Sequence, residues 1–338
     1  RPEIQAAVLT AMKDKSEHPE YLLAHIDAVV DSIAKVVGCK DIRRGVDAGL
    51  DCEVRARLLA SWRAFVQDPD DQPEEWFVSG SPMGILASPQ TRGIFPEYPD
   101  TRPEIHHSVL DSFESKFDRR SSAEGDPDAI KEMNLMTDRK WIDKFKSKGK
   151  AKKAVRGRLV LSKLIVITKE KKVSNGRGGV KRKVKKRLIL NLKKSRVTEA
   201  AVKVEKPQLP RALDVVLAVM RLLLARRRRG LHLGLRMVVL DFANAFFQFP
   251  LMLKERKFFA TRLGKHIYIW RRAVQGSRGA PDICGRTLAL AMRLSCALVL
   301  PGTMSSSTYV DDPISSFIGD EEQANRSITK WILGLMAL

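Results

Sequence analysis

Three aspartates that follow two short apolar segments are the residues best suited to chemistry. Asp241 ends the run over residues 237–240, which is typical of a strand buried on both faces. Asp311 and Asp312 follow a second short strand at 308–310. Adjacent carboxylates repel each other unless a cation lies between them, and Mg²⁺ prefers carboxylate oxygens together with phosphates. If a helix-backed antiparallel sheet brings the aspartates together, they predict a two-metal site that activates one oxygen and stabilises another.

A glycine-containing loop lies between the two aspartate sites along the chain. Residues 274–281 read Val-Gln-Gly-Ser-Arg-Gly-Ala-Pro, and this composition predicts a loop that leads into a helix. Glycine lets a ligand approach the backbone closely, and Gln275 offers both a donor and an acceptor. Such a loop alone is a weak indicator, but its place between the aspartates makes it specific.

The segments that must position these residues are predicted from apolar periodicity and turn signals. Pro313 follows Asp312 directly and has no N–H to donate, so we expect the return strand to be an edge strand or slightly offset. The predicted elements are an apolar helix over 213–225 with Leu213, Val216, Leu217, Met220 and Leu224 on one side, a hairpin over 258–271, a helix over 282–299, a return strand over 314–318 and a helix from Glu321.

The N-terminal part of the chain gives little indication of function. Residues 1–66 carry apolar stripes at helical spacing, and core packing explains them. Residues 69–103 are rich in Pro, Gly and Asp and predict a long irregular connection. Residues 104–140 are polar and predict helical fragments at best.

Nearly all of the excess positive charge lies in one segment. The net charge is +22, and residues 141–196 hold 22 of the 61 Lys and Arg but only two of the 39 acidic residues. Such a bias destabilises a compact state unless an anion offsets it, and a phosphodiester backbone is the natural anion. Apolar runs on either side of a turn signal at 176–179 predict a basic β-hairpin here, in preference to a disordered tail.

The composition also disfavours several classes of protein. A pI near 10.0 argues against an acidic binding module. No apolar run approaches the roughly 20 residues of a membrane span, and no leader peptide is visible after Arg1. The four cysteines match no zinc spacing and favour a reducing compartment. We therefore expect an intracellular protein of the cytoplasm or nucleus, with no membrane partner.

Taken together, the motifs resemble the palm of the reverse transcriptase in a retrotransposon Pol polyprotein, of the LTR type and copia-like. Asp241 with Phe246, residues 275–281, and Tyr-Val-Asp-Asp at 309–312 resemble motifs A, B and C of that family. The resemblance covers roughly residues 155–338, and the Tyr-Val-Asp-Asp tetrad is its most specific part. Further segments that resemble the family are the fingers hairpin at 161–169 and 186–191, the start of the palm at 207–210 and the segment after motif A at 247–251.

The resemblance implies an α+β fold with the fingers and palm of a right-hand polymerase, in which helices back an antiparallel sheet. It implies a helical and irregular N-terminal extension at 1–140, a basic fingers hairpin region at 141–206, and a palm with the three motifs at 207–338. Within the palm segment, residues 251–281 would return to the fingers. The chain stops in the helix after motif C, so the expectation is that a thumb is absent and that other Pol domains belong to the full polyprotein.

The resemblance also implies catalytic and metal-binding roles. Asp241 and Asp311 would bind two Mg²⁺ ions, or Mn²⁺, with Asp312 and the Phe242 carbonyl as further support. The three aspartates would thereby be catalytic in the transfer of dNTPs onto a primer. Phe246 would lie under the sugar and leave no room for a 2′-hydroxyl, which favours dNTP over rNTP.

Contacts to nucleotide and nucleic acid follow from the same resemblance. The partners implied are an RNA template, a DNA primer or RNA–DNA hybrid, and dNTPs. Arginine suits a triphosphate because its fork matches phosphate oxygens. The implied nucleotide-binding residues are Phe246, Gln275, Gly276, Arg187, Lys169 and Tyr309. The implied nucleic-acid-binding residues are Lys181, Arg182, Lys183, Lys185, Lys186, Lys193 and Lys194.

Three alternative functions stay open. A non-catalytic RNA-binding protein could use the basic segment, although binding alone does not need buried paired carboxylates. An RNA-directed RNA polymerase usually carries a polar residue where Phe246 stands, so this residue argues against it. A catalytically dead copy of a retroelement would keep the fold and lose the activity.

Overall fold

The computed structural model describes residues 19–44, 53–99, 105–113, 121, 123–174, 180–228 and 234–338. The first part of the helical prediction over 1–66 and the predicted turn at 176–179 lie outside these residues. The described chain is a mixed α+β structure with antiparallel sheets and packed helices, in agreement with the α+β class that the sequence predicted.

Four α-helices precede the first strand, and helices and strands are interspersed in the rest of the described chain. The α-helices are α1 (Ile26–Val37), α2 (Ala56–Val66), α3 (Gln72–Ser79), α4 (Pro127–Asp138), α5 (Lys148–Ala154), α6 (Val197–Ala200), α7 (Ala212–Arg228), α8 (Ala280–Cys296) and α9 (Glu321–Ala337). The strands are β1 (Ile142–Phe145), β2 (Lys163–Ser174), β3 (Val180–Asn191), β4 (Gly234–Val239), β5 (Ala260–Leu263), β6 (His266–Trp270), β7 (Met304–Tyr309) and β8 (Asp312–Gly319). Short 3₁₀ helices lie at Pro19–His25, His107–Phe113, Ala245–Gln248 and Leu253–Phe258.

Three antiparallel sheets organise the described strands. β2 and β3 form a long two-stranded hairpin, β1-β6-β5 form a small sheet, and β4-β8-β7 form the sheet that carries the aspartates. Helices α8 and α9 contact the last sheet, where Phe317 packs edge to face on the fully buried Trp331. Buried apolar residues thus hold this sheet on a helical layer, which gives the aspartates a rigid support.

The N-terminal helices pack into the same core as the rest of the chain. One cluster of buried residues includes Val29 and Ile33 of α1, Trp62 of α2, and Leu290 and Leu333 of the late helices α8 and α9. The backbone N–H of Arg55 also donates to the carbonyl of Leu338 over 2.6 Å. The described part of residues 1–140 is therefore built onto the helices that back the aspartate sheet. The domain boundaries that the sequence suggested stay a prediction.

Most predicted elements near the aspartates are confirmed. The hairpin over 258–271 is β5–β6, the helix over 282–299 is α8, and the helix from Glu321 is α9. The basic segment forms the β2–β3 hairpin. Residues 69–103 were expected to be irregular, yet α3 lies within them, because Pro73 in its first turn is compatible with a helix start.

Two predictions about the aspartate sheet are wrong. The run before Asp241 was expected to be buried on both faces, but Met237 is 51% exposed and Val239 is 63% exposed in β4. β8 was expected to be an edge strand or slightly offset because of Pro313, and the edge alternative is wrong because β8 is the central strand. Pro313 is tolerated there because its nitrogen and carbonyl point toward β4, which ends at Val239. Only one donor at the end of the ladder is therefore missing, and the Pro313 carbonyl still accepts from Leu240 N–H over 3.1 Å.

The apolar stripe of α7 faces solvent in the described structure. Its five residues are each between 42% and 57% exposed, whereas Leu222 on the opposite side of the helix is buried. The helix contacts β7 and β8 through that opposite side. None of the helices in the described ranges is long and apolar enough to cross a membrane.

Candidate functional site at the end of the β4-β8-β7 sheet

The sheet register brings Asp241 opposite Asp312. β4 pairs with β8 so that Val239 lies opposite Ile314. The pairing continues past the end of β4, because Leu240 N–H donates to the Pro313 carbonyl over 3.1 Å and Phe242 N–H donates to the Asp311 carbonyl over 3.0 Å. Asp241 and Asp312 therefore face each other as a pair that is flanked by two hydrogen bonds. Directly opposite residues in such a pair have Cβ atoms about 5 Å apart on one face of the sheet.

Asp311 lies in the tight turn that joins β7 to β8. Tyr309 pairs with Asp312, so Val310 and Asp311 alone form the turn. Val310 has a φ of 58°, a left-handed conformation that a β-branched residue rarely adopts. The turn can place Asp311 beside the facing pair Asp241 and Asp312 only with a strained backbone at Val310.

The three carboxylates are accessible, which corrects the expectation that they are buried. Asp241 is exposed, and Asp311 and Asp312 are partly exposed. In the described part of the chain, none of the three carboxylates forms an ion pair or a side-chain hydrogen bond. Asp311 also lies close to Cys284 of α8. Burial is the main cause that raises the pKa of the Cys284 thiol to about 12, and the charge of Asp311 adds to the rise. The site is thus a set of uncompensated acceptors on a strongly basic protein.

Gly276 lies against the basic hairpin, and the neighbouring Gln275 is partly buried. Gly276 has a φ of 96°, and a Cβ built on it would lie 3.4 Å from Cγ2 of Ile189 in β3. Gly276 is therefore a position that only glycine fills without strain. Arg187 lies two residues from Ile189 on the same strand, so its side chain belongs to the same face of the hairpin. The structure thus brings the predicted loop next to the strand that carries Arg187, the arginine predicted to bind the triphosphate.

Arg187 and Lys169 are diagonal neighbours on that face. Ile167 pairs with Arg187 and Lys169 pairs with Lys185, so Arg187 and Lys169 are offset by one cross-strand step. Both side chains are exposed. Their pairing geometry allows both cations to approach one polyanionic ligand.

The other predicted nucleic-acid contacts fall into three groups. Lys186 lies on the opposite face of the hairpin, and its ammonium is 3.0 Å from Asp126 and 2.8 Å from Asp128. These carboxylates raise the pKa of Lys186, Asp128 first. Lys193 and Lys194 are exposed in the turn after β3. The backbone of Lys181, Arg182, Lys183 and Lys185 lies in β3, and their side chains are outside what the structure describes.

The segment after Asp241 is held by stacked aromatic rings. Phe246 lies in the 3₁₀ helix at Ala245–Gln248 and is partly buried against the main core. Phe247 stacks on Trp141 with ring centroids 4.4 Å apart, and Phe249 stacks on Phe77 of α3 at 5.7 Å. Among the described residues of this segment, Phe242 and Phe246 are the aromatic residues that form no ring pair, and both are partly buried against the main core. Tyr309, at the end of β7, is 49% exposed.

Searches against known proteins give structural similarity alone. No family model and no curated protein sequence matches the chain. The chain is similar to reverse transcriptases in structure. One is a foamy viral protease-reverse transcriptase solved with double-stranded DNA, at a TM-score of 0.40 and 11% identity over 81% of this chain and 40% of that one. Another is the native prototype foamy virus protease-reverse transcriptase, at a TM-score of 0.39 and 12% identity over 75% and 25%. The chain spans less than half the length of both.

The donor set at the sheet end fits a hard dication. Among the described residues, no three His, Cys, Asp or Glu side chains form a ready metal-binding group. Mg²⁺ does not require one, because it is usually bound by one or two carboxylates and completes its octahedron with waters and substrate phosphates. The facing carboxylates of Asp241 and Asp312, with Asp311 adjacent, supply oxygen ligands of this kind.

Sequence reasoning missed two buried charged residues behind the site. Glu255 is fully buried, and its carboxylate accepts from four backbone N–H groups over 2.6–3.2 Å. Burial raises the pKa of Glu255, and the four donors oppose that rise. Arg286 of α8 is 1% exposed and bonds to Asp70 and Glu205. The sequence indicated the burial of Arg286 only by placing an arginine within an apolar helical run, and it gave no indication that Glu255 is buried.

Proposed function

We propose that this chain is the fingers and palm part of an RNA-directed DNA polymerase of a retrotransposon. The observation that carries the proposal is the register that sets Asp241 opposite Asp312, with Asp311 in the adjoining turn. The two motifs are far apart in sequence, and carboxylates that converge for a purely structural reason would have cationic or hydrogen-bonding partners, which these three lack among the described residues.

The aspartates are the residues that would hold Mg²⁺ or Mn²⁺. Asp241, Asp311 and Asp312 supply carboxylate oxygens, and the Phe242 carbonyl is the further ligand implied by the resemblance. Bound dications would lower the cost of charge on the attacking and leaving oxygens. In the reaction, the 3′-oxygen of the primer bonds to the α-phosphorus, the bond from that phosphorus to the bridging oxygen breaks, pyrophosphate leaves, and the hydroxyl proton passes to solvent.

The loop and the hairpin would hold the incoming nucleotide. Arg187 and Lys169 share a face of the hairpin next to Gly276, so the triphosphate would lie between this face and the aspartates. Gln275 would contact the base or sugar from the loop. Phe246 would lie under the sugar, where an aromatic ring offers a 2′-hydroxyl no hydrogen bond.

The basic block would follow the nucleic-acid backbone. Lys193 and Lys194 are exposed and project from the end of the hairpin, so they could contact phosphates independently of sequence. Lys186 would first have to leave its two aspartates, so it should contribute less to binding. Localisation in the cytoplasm or nucleus and membership of a longer Pol polyprotein belong to the same proposal.

Primer extension tests the proposed function. The chain would be incubated with an oligo(dT)-primed RNA template, Mg²⁺ and dNTPs, beside Asp311→Asn and Asp241→Asn. Glu322→Gln, which removes an exposed carboxylate on α9, is the matched control. Extension by the parent and the control, and a loss of at least about 100-fold in both aspartate variants, supports the polymerase.

The same assay separates the alternatives. Phe246→Ala should lower the preference for dNTP over rNTP by about 10-fold or more, because the ring no longer fills the space of the 2′-hydroxyl. Extension with rNTPs by the parent would instead favour an RNA-directed RNA polymerase. No extension, together with salt-sensitive RNA binding, would favour a catalytically dead nucleic-acid-binding protein.

A further inference from the structure

The segment 80–87 of the N-terminal region runs directly behind the Gln275 loop. It is tied to the segment after motif A by Ser81 N–H donating to the Pro250 carbonyl over 2.6 Å and by Met252 N–H donating to the Ser81 carbonyl over 3.1 Å. On its other side, Val202 N–H donates to the Gly84 carbonyl over 2.8 Å. Both flanks of the segment are therefore fixed by backbone hydrogen bonds.

Glu255 fixes the middle of this segment from within the core. Its Oε2 accepts from Met83 N–H over 2.6 Å, and its Oε1 accepts from Ile85, Leu86 and Ala87 N–H over 3.0, 2.7 and 3.2 Å. A buried carboxylate needs such donors, and buried backbone amides need such an acceptor. The side chain and the segment therefore lock each other in one conformation.

Met83 in turn contacts the end of the 275–279 loop. A Cβ built on Gly279 would lie 2.8 Å from the Met83 carbonyl oxygen and 2.9 Å from its Cα, so these backbones are in direct contact. Ser277 Oγ donates to the Met83 sulfur over 3.6 Å and accepts from Ala280 N–H over 3.3 Å. With Gly276 against Ile189 on the opposite side, the loop is enclosed between β3 and Met83.

We infer that residues 80–87, anchored by Glu255, position the 275–279 loop as a wall of the nucleotide pocket. The N-terminal region is then part of the polymerase site, in which Met83 and Glu255 are positioning residues that touch no substrate. This inference rests on the proposed function, because the loop acts on a nucleotide only if the site binds one. The geometry predicts that displacing Met83 loosens the loop and weakens dNTP binding while the aspartates stay in place.

Gly279, at the N-cap of α8, and Gly285, within α8, provide a matched test. Gly279→Ala forces a clash with the Met83 backbone, whereas Gly285→Ala on α8 meets no atom within 4 Å. Glu255→Gln is a second variant that alters no atom of the loop and puts an amide N–H₂ against N–H donors. Hydrogen exchange at residues 274–279 is expected to quicken at least 10-fold in Gly279→Ala and Glu255→Gln, and to match the parent in Gly285→Ala.

Steady-state kinetics provides the functional arm of the test. The KM for dNTP should rise at least 10-fold in Gly279→Ala and Glu255→Gln, with kcat within about threefold of the parent. Unchanged exchange at 274–279, or an equal rise throughout the protein, would overturn the inference, because either result makes segment 80–87 a purely structural part. If the parent extends no primer, the proposed function fails, and the exchange measurement still decides the positioning role.

Discussion

Replacing Asp70 by Asn should destabilise the protein far more than the same change at its neighbour Asp71. The Asp70 carboxylate is fully buried and accepts from Nε and Nη2 of Arg286 over 2.7–3.0 Å. Removal of one partner of a buried pair leaves an uncompensated charge, which costs about 3–5 kcal/mol. Because Arg286 keeps Glu205 at 3.3 Å, we expect the lower end, about 3 kcal/mol.

Asp71 supplies the internal control. Its carboxylate lies 2.9 Å from Nε of Arg92, but the two side chains are 46% and 39% exposed. An exposed pair of this geometry contributes less than about 1 kcal/mol. The two variants therefore differ in burial of the pair and hardly in its geometry.

Urea unfolding followed by tryptophan fluorescence would give both free energies of unfolding. The parent, Asp70→Asn and Asp71→Asn should share one m-value, so that the midpoints report stability alone. Equal losses in the two variants, or a loss below about 1 kcal/mol in Asp70→Asn, would refute the argument that burial sets the cost of breaking the pair.

Two further predictions concern the turn and the start of α8. Val310→Gly should leave the free energy of unfolding unchanged or raise it by up to about 1 kcal/mol, because φ at this position is 58° and glycine adopts it without strain. Val184→Gly in β3 is the control and should lower the free energy of unfolding. If urea unfolding shows a loss of stability in both variants, the argument that Val310 is strained is wrong. Burial raises the pKa of Asp282 to about 6 despite its hydrogen bond from Lys203. A raised carboxylate pKa gives stability that is present below pH 4 and lost as pH rises through 6, by up to about 3 kcal/mol. Unfolding measured between pH 4 and 7 should show this loss in the parent and not in Asp282→Asn, and parallel profiles would contradict it.

The local parts of the site could be predicted from the sequence. Period-two and helical patterns gave the β5–β6 hairpin, α8 and α9, because each of these elements buries one face whose spacing is visible in the residues. The sequence also predicted that Asp241 converges with Asp311 and Asp312, because both motifs follow strands that were expected to lie in one sheet. The metal, nucleotide and nucleic-acid roles of these residues stay predictions.

The parts that depend on distant contacts could not be predicted. Glu255 is an ordinary charged residue in its own sequence, and only the fold supplies the four amides that surround it. Pro313 led to an error of another kind. Because proline has no N–H to donate to a neighbouring strand, β8 was expected to be an edge strand or slightly offset. That expectation ignores where the neighbouring strand ends. The exposure of Met237 and Val239 likewise depends on which faces of the sheet other elements cover, and an apolar run in the sequence does not specify this.

The contact between α1 and α9 has a consequence for how the protein is made. The buried face of α1, with Val29 and Ile33, packs against a helix that begins nearly three hundred residues later. At about 5–20 residues per second, a ribosome needs on the order of 15–60 s to synthesise the intervening chain. During that time the early helices lack their partner and expose apolar surface. The contact between α1 and α9 can therefore form only after α9 emerges from the ribosome, and synthesis in the cell should depend on chaperones that shield α1 until then.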